Sequence, residues 1–166
     1  ISLMFSNIGF AKDFKWEKGL TVADLVNKYG NLGFQSIELE KASKTIVKMK
    51  KSGAKIYLTF TSNMCTSGLS GFFAQLIRLG MVDVIVTTAG SIEEDIMKSI
   101  GEKFIIGDFH SDDVALYEKG VNRVGNLFIT NESYAKFEDY MNPVLTELYK
   151  KKPRWTVSEL LREIGL

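Results

Sequence analysis

The strongest constraint on the fold comes from residues 56–95, where two apolar runs each end in a small polar loop that opens a helix. The first run, 55–60, leads into the loop 61–68, and the second, 82–87, leads into the loop 87–91. Strands that alternate with helices predict an α/β fold with a doubly wound, mostly parallel sheet. In such sheets the loops at the carboxyl ends of neighbouring strands face one crevice, where ligands bind. We therefore expect the two loops to lie side by side.

Apolar residues at helical spacing predict helices on both sides of this segment. We expect helices at residues 21–29, 36–52, 67–79, 92–100, 112–119, 131–150 and 156–164, with a short strand at 104–106 and a further parallel strand at 124–129. The third helix is apolar around much of its circumference, and the strand 82–87 is almost continuously apolar. We therefore expect this helix to be well buried, and the strand to be covered on both faces. Pro143 is expected to kink or break its helix.

The composition is that of a soluble globular domain, with 45% hydrophobic and 25% charged residues among 166. A net charge of +1 gives no bulk attraction to nucleic acid or to an acidic membrane. Cys65 is the only cysteine, which fits a reducing compartment. The sequence shows neither a signal-peptide pattern nor an apolar run long enough to span a bilayer. We expect a cytoplasmic protein.

The sheet is expected to be incomplete in this chain. We interpret residues 1–166 as part of a single domain, with a helical lead-in at 1–54 and βα units at 55–166. Only three or four strands precede the last helix, and a sheet that stopped there would leave an apolar edge. We expect the rest of the sheet on another polypeptide. We also expect the apolar groups of residues 1–19 to lie against this domain or a partner; these groups are Phe5, Ile8, Phe10, Phe14 and Trp16. Both tryptophans, Trp16 and Trp155, are expected to be packing anchors.

The first polar loop is rich in hydroxyl and amide groups that can donate hydrogen bonds. It reads TSNMCTSG and precedes a predicted helix, whose free N–H groups and dipole suit a phosphate. The alternative is that Thr66 or Ser67 merely caps that helix. The dinucleotide fingerprint G-x-G-x-x-G is absent, so a standard Rossmann motif is not indicated.

The second loop combines small residues with carboxylates. Residues 87–91 read TTAGS, which lets a ligand approach the backbone closely, and Glu93, Glu94 and Asp95 follow. Acidic residues in a first helical turn are favourable for the helix dipole, which is one explanation for all three. However, successive helix positions point about 100° apart, so these carboxylates cannot all share one solvated face. One or two of them could instead hold a cationic substrate such as an amine.

Two other constellations are weaker. A catalytic Cys65 would need a base, and the sequence does not place the only histidine, His110, beside it. No spacing typical of structural zinc is present, so we predict no metal site. Four residues could be drawn as a metal site: Asp108, His110, Asp112 and Asp113. A turn followed by a helix N-cap at Ser111 is the preferred explanation for this acidic cluster and its histidine.

Several of these motifs together resemble those of the deoxyhypusine synthase family. The segments are SNMCTSG, MVDVIVTTAGSIEED, GDF and GVNRVGNLFITNESYAKFEDYMNPVL, and the earlier LVNKYGNLGFQSIELEKA is similar to the family's amino-terminal region. The resemblance runs from about Leu20 onward and implies an amino-terminal part of an NAD-binding domain with a modified Rossmann-like fold. It also implies an NAD-dependent transferase that moves the aminobutyl group of spermidine to a lysine of a translation initiation factor precursor.

The resemblance also implies roles for both loops. Spermidine is expected at the acidic pair Glu93 and Glu94. The expected NAD contacts are Ser62, Asn63, Met64, Cys65, Thr66, Thr88, Ala89, Gly90 and Glu94. This agrees with the chemistry deduced from the loops themselves.

The chain departs from the family in three respects. Family members usually read SNLISSG in the first loop, and Ser91 stands here where glycine is common. The family's carboxyl-terminal half, which carries the catalytic lysine, has no match, so we expect this chain to be inactive alone and to assemble, tetramer-like, with such a half. The alternatives are a non-catalytic regulatory or scaffold relative that pairs with a full-length synthase, and an enzyme similar to homospermidine synthase.

Overall fold

The computed structural model describes residues 9–165 and divides the chain into two compact units. One unit comprises residues 1–57 and 81–84, and the other comprises 58–80 and 85–166. Helices and short strands alternate, as the sequence predicts for a mixed α/β protein. The elements are α1 (Val22–Tyr29), α2 (Ser36–Lys51), β1 (Tyr57–Phe60), a π-helical turn (Cys65–Leu69), α3 (Ser70–Arg78), β2 (Val84–Thr87), α4 (Gly90–Ser99), β3 (Ile105–Ile106), α5 (Asp113–Glu118), β4 (Val121–Val124), β5 (Leu127–Thr130), α6 (Asn131–Lys151) and α7 (Val157–Ile164).

The first unit is built on the packing of α1 against α2. A reciprocal capping box begins α1: the Asp24 N–H donates to the Thr21 hydroxyl at 3.2 Å, and the Thr21 N–H donates to the Asp24 carboxylate at 3.1 Å. These bonds satisfy two N–H groups that the helix itself leaves free. On α2, the buried carboxylate of Glu40 pairs with Lys44 and lies against the backbone of Gly30. A side chain at position 30 would therefore collide with Glu40.

The described apolar groups of the segment before α1 are not buried against this domain, which leaves a partner as the predicted alternative. Phe10 is 88% exposed and Trp16 is 69% exposed, so Trp16 is not a packing anchor within this chain. The predictions for Phe5 and Ile8 fall outside the described residues. Trp155, by contrast, anchors the connection between α6 and α7, because its ring N–H donates to the carbonyls of Lys152 at 2.9 Å and Leu148 at 3.2 Å.

The second unit contains an antiparallel sheet that the sequence analysis did not predict. Its strand order is β3-β5-β4, while β1 and β2 form a separate two-stranded sheet. The predicted parallel strand at 124–129 is wrong, because a two-residue turn splits this segment into the β4–β5 hairpin. Gly125 lies in that turn with φ of +62°, a left-handed conformation that glycine adopts without a Cβ clash.

The core of the second unit is small. Met97 and Ile129 are fully buried, and Phe60 stacks on Phe73 with their ring centroids 3.8 Å apart. The predicted burial of the third helix is wrong, since Phe72 is 52% exposed and Phe73 is its only buried residue. The prediction that the second strand is covered on both faces is also wrong. Burial alternates along β2, and one of its faces lacks a covering element among the described residues. The long helix α6 continues through Pro143 without a break.

Candidate functional site

The first predicted loop forms a turn that separates β1 from α3. The N–H groups of Cys65 and Thr66 both donate to the Ser62 carbonyl, at 2.8 and 3.0 Å, and the π-helical turn follows. Gly68 has φ of +105° within this turn, so the regular helix starts only at Ser70. The N-cap residue of α3 is Leu69, with no side-chain cap. The alternative that Thr66 or Ser67 caps the helix is therefore wrong.

The two predicted loops contact each other. The Ser62 N–H donates to the Thr88 hydroxyl at 3.0 Å. A Cβ added to Gly90 would lie 3.0 Å from the Cβ of Ser62, which shows how closely the loops approach. Helix α4 begins at Gly90 without a side-chain cap, and the N–H groups of Ser91 and Ile92 donate to the carbonyls of Thr88 and Ala89, both at 3.0 Å. The side-by-side placement expected from the strand order is thus present.

The three carboxylates after the second loop point in different directions, as the helical spacing predicts. Glu94 is 7% exposed, Glu93 is half-buried and Asp95 is exposed. The Thr66 hydroxyl donates a hydrogen bond to the Glu94 carboxylate. Burial raises the pKa of Glu94 above its ordinary value, and the Thr66 hydrogen bond and the charge of Lys98 oppose that shift. Glu94 therefore joins the two loops.

Lys98 completes this arrangement, and sequence reasoning missed it. Its ammonium donates to the Cys65 carbonyl at 2.5 Å and to the Thr66 carbonyl at 3.4 Å. It also lies 4.9 Å from the ring centroid of Phe104. The signal in the sequence was its position four residues after Glu94 on the same helix, where the two side chains are neighbours.

A largely apolar cavity of about 820 Å³ opens beside the loops in the second unit. It brings together Cys65, Thr88, Ala89 and Glu93 of the predicted site residues. The remaining predicted residues lie outside its lining: Ser62, Asn63, Met64, Thr66, Gly90 and Glu94. Ser70 also lines the cavity, and its hydroxyl is buried without a hydrogen-bond partner in the part of the chain that the structure describes.

The acidic cluster around His110 has structural partners. Asp112 is the N-cap of α5 and accepts the Val114 N–H at 2.9 Å, so the predicted cap at Ser111 is wrong by one residue. Asp113 forms two hydrogen bonds with the Arg123 guanidinium, at 2.6 and 2.8 Å. Arg123 lowers the pKa of Asp113 through these bonds.

Arg123 belongs to the motif NR-x-GN, and it ties the hairpin together. Its guanidinium also donates to the carbonyls of Gly125 at 2.9 Å and Phe109 at 3.2 Å. In the described residues this motif therefore has a structural role at the β4–β5 turn. None of the helices in residues 9–165 combines the length and apolar character that crossing a membrane requires.

Comparisons with known proteins agree on one family. The family model of deoxyhypusine synthase matches residues 24–166. A relative from Schizosaccharomyces pombe, named "Probable deoxyhypusine synthase", is 39% identical over 162 residues, which cover 89% of this chain and 46% of the relative. A Trypanosoma brucei protein named "Deoxyhypusine synthase regulatory subunit" is 38% identical over 151 residues, covering 85% of this chain and 44% of that protein.

A solved structure supports the same assignment. The crystal structure of a candidate deoxyhypusine synthase from Entamoeba histolytica superimposes with a TM-score of 0.60 and 28% identity. The match covers 93% of this chain and 55% of the other. The chain spans about half the length of the curated relatives it matches. Its sequence and fold place this chain in the deoxyhypusine synthase family.

Proposed function

We propose that this chain supplies the cofactor loops and the polyamine-binding carboxylate of a deoxyhypusine synthase. The enzyme would transfer the aminobutyl group of spermidine to a lysine of a translation initiation factor precursor. One observation carries the proposal. In a member of this family, the loop after β1 and the loop after β2 are joined by the Ser62–Thr88 and Thr66–Glu94 hydrogen bonds. These are the loops that the sequence motifs associate with NAD.

The donor set suits a dinucleotide. Hydroxyl groups can bind ribose or phosphate, and the positive end of the α4 dipole favours an anion. The residues that would hold NAD are Ser62, Asn63, Met64, Cys65, Thr66, Thr88, Ala89, Gly90 and Glu94. When bound, NAD would accept a hydride from spermidine and return it later.

Glu93 is the carboxylate best placed for a cationic substrate. It lines the cavity, whereas Glu94 is buried against Thr66. An ionised carboxylate at an apolar wall attracts an ammonium group more strongly than the same carboxylate in bulk water, because fewer water molecules screen the two charges. We assign Glu93 to spermidine and Glu94 mainly to joining the loops beside the cofactor.

The rest of the synthase would supply what this chain lacks. The reaction needs an amine nucleophile beside the substrate. No lysine of this chain lies in a motif that matches the family's catalytic lysine. We propose that the remaining part, on the same polypeptide or another, carries that lysine and completes a doubly wound, Rossmann-like sheet. This chain together with that part is called the synthase assembly below.

The decisive experiment measures NAD-dependent cleavage of spermidine by the synthase assembly. We expect activity in the wild-type assembly and a large rise in the KM for spermidine in Glu93→Gln, which keeps the size of the side chain but removes its charge. The matched control is Glu118→Gln, which removes an exposed carboxylate at the end of α5. A folded wild-type assembly that cleaves no spermidine would contradict the proposal, as would an unchanged KM in Glu93→Gln.

A second candidate function is regulatory. The Trypanosoma brucei relative is named as a regulatory subunit, and it is about as similar to this chain as the relatives named as synthases. In that case the chain would pair with a full-length synthase and raise its activity without binding NAD. The test measures NAD binding after Ala89→Glu blocks the loops of this chain. Loss of binding favours the enzyme, and unchanged binding favours the regulatory subunit.

A further inference from the structure

Lys98 makes contacts that an ordinary surface lysine does not make. It lies in the last turn of α4, where a positive charge is favourable for the helix dipole. That explanation requires only an exposed ammonium. Instead, the side chain is half-buried, and its ammonium donates to carbonyls that precede it by more than 30 residues in the sequence. The contact is therefore a specific link between α4 and the first loop.

The segment that Lys98 contacts is locally irregular. Cys65 and Thr66 begin the π-helical turn, and Gly68 takes a left-handed conformation within it. Short π-helical segments are rare and interrupt the regular hydrogen-bond ladder, so this turn depends on contacts from outside it. Helix α4 supplies two side chains to the turn, because Lys98 binds the carbonyls and Glu94, one turn earlier, accepts the Thr66 hydroxyl.

The ammonium also balances a buried charge. Glu94 is almost completely buried, and an unpaired carboxylate in that place would be costly. Lys98 follows Glu94 by four positions on α4, where their side chains are neighbours, and its charge favours the ionised carboxylate. Loss of Lys98 would therefore weaken the turn directly, at its two carbonyls, and indirectly, through Glu94.

We propose that Lys98 is a positioning residue for the cofactor, which holds the Cys65–Leu69 turn in the conformation that NAD binds. The inference rests on the proposed function, because it assumes that this turn contacts NAD. Lys98 itself donates to the protein backbone and acts through the turn. It thus determines cofactor affinity and not the rate of the chemical step.

The test compares variants of the synthase assembly by a measurement that needs no turnover. Lys98→Met keeps the length of the side chain but removes its charge and its donors, and Lys98→Arg keeps both. Lys103→Met is the matched control, because Lys103 is exposed and has no hydrogen bond or ion pair within residues 9–165. Calorimetric titration gives the Kd for NAD, and hydrogen exchange reports on the amides of residues 64–70.

We expect Lys98→Met to raise the Kd for NAD about tenfold, since a charged hydrogen bond is lost. Exchange at residues 64–70 should become faster, the KM for NAD should rise in parallel, and kcat at saturating NAD should stay unchanged. Lys98→Arg should restore most of the affinity, and Lys103→Met should behave as wild type. Lys98→Ala is a second variant for the case that Lys98→Met does not fold.

Three results would overturn the inference. Wild-type affinity for NAD in either folded variant, Lys98→Met or Lys98→Ala, would overturn it while leaving the proposed function intact. A lower kcat with unchanged KM would show a purely structural role and would also overturn it alone. A folded wild-type assembly that binds no NAD would overturn the inference together with the proposed function.

Discussion

The backbone N–H of Ser62 donates to the hydroxyl of Thr88 across 3.0 Å, although 26 positions separate the two residues in the sequence. This bond fixes the loop after β1 to the loop after β2. With the Thr66–Glu94 bond it gives two links between the same pair of loops. A ligand that contacts both loops therefore meets a surface that is already assembled, which lowers the entropy cost of binding.

The Thr88 hydroxyl provides a direct test of this link. Thr88→Val keeps the shape of the side chain but removes the acceptor, so the Ser62 N–H loses its partner. A hydrogen bond of this kind is worth about 1 kcal/mol, which corresponds to roughly fivefold in NAD affinity. Calorimetry should show that loss in Thr88→Val and near-normal affinity in Thr88→Ser. Equal affinity in the valine variant and the wild type would mean that the link does not matter for binding.

Glu94 predicts an unusual dependence of stability on pH. Burial raises its pKa, so the folded protein binds a proton more tightly than the unfolded chain, whose glutamate has a pKa of 4.5. The resulting stabilisation is complete below pH 4.5 and is lost as the pH rises through the raised pKa. Glu94→Gln, which never ionises, should therefore become more stable relative to wild type across that window in urea melts. Asp95→Asn removes a neighbouring exposed charge as the control. A stability difference between Glu94→Gln and wild type that does not change with pH would contradict this account.

Glu159 predicts the opposite trend at lower pH. The Thr156 N–H, Lys152 and the Thr156 hydroxyl lower its pKa to about 2. Its stabilising contribution is therefore present above pH 4.5, the ordinary value, and is lost as the pH falls towards 2. Thermal melts of wild type and Glu159→Gln should differ most above pH 4.5 and converge in acid. A constant difference over this range would show that the capping box does not depend on the ionised carboxylate.

Gly125 should tolerate substitution poorly. Its φ of +62° disfavours other residues, and an added Cβ would lie 3.1 Å from the Phe109 ring. We expect Gly125→Ala to lower the free energy of unfolding by about 1–2 kcal/mol. In Gly71→Ala, an added Cβ within α3 meets open space, and this control should be neutral or slightly stabilising. Equal stability of both variants would contradict the role assigned to the turn.

Local signals in the sequence predicted the starts of α1 and α7. Thr21 with Asp24, and Thr156 with Glu159, form the capping boxes that their spacing indicates. The approach of the two polar loops followed from the adjacency of β1 and β2. The hairpin was missed because the Gly125-Asn126 turn signal was interpreted as part of one strand over residues 124–129.

Contacts between residues far apart in the chain could not be predicted from the sequence. The apolar pattern of α3 shows which residues can be buried, but it does not show which element covers them, and Phe72 stays exposed. No role was predicted for Lys98 from the sequence. Its bond to the Cys65 carbonyl, 33 residues away, depends on how α4 packs beside the turn. Contacts of this kind depend on tertiary packing and not on local spacing.

The central claim is that NAD is held by the two joined loops of this chain. The most direct measurement is a calorimetric titration of NAD into the synthase assembly, with wild-type chain and with Ala89→Glu, which adds bulk and negative charge at the start of α4. We predict saturable binding to the wild type and its loss in Ala89→Glu. No binding to the folded wild-type assembly, or equal binding to both, would contradict the claim.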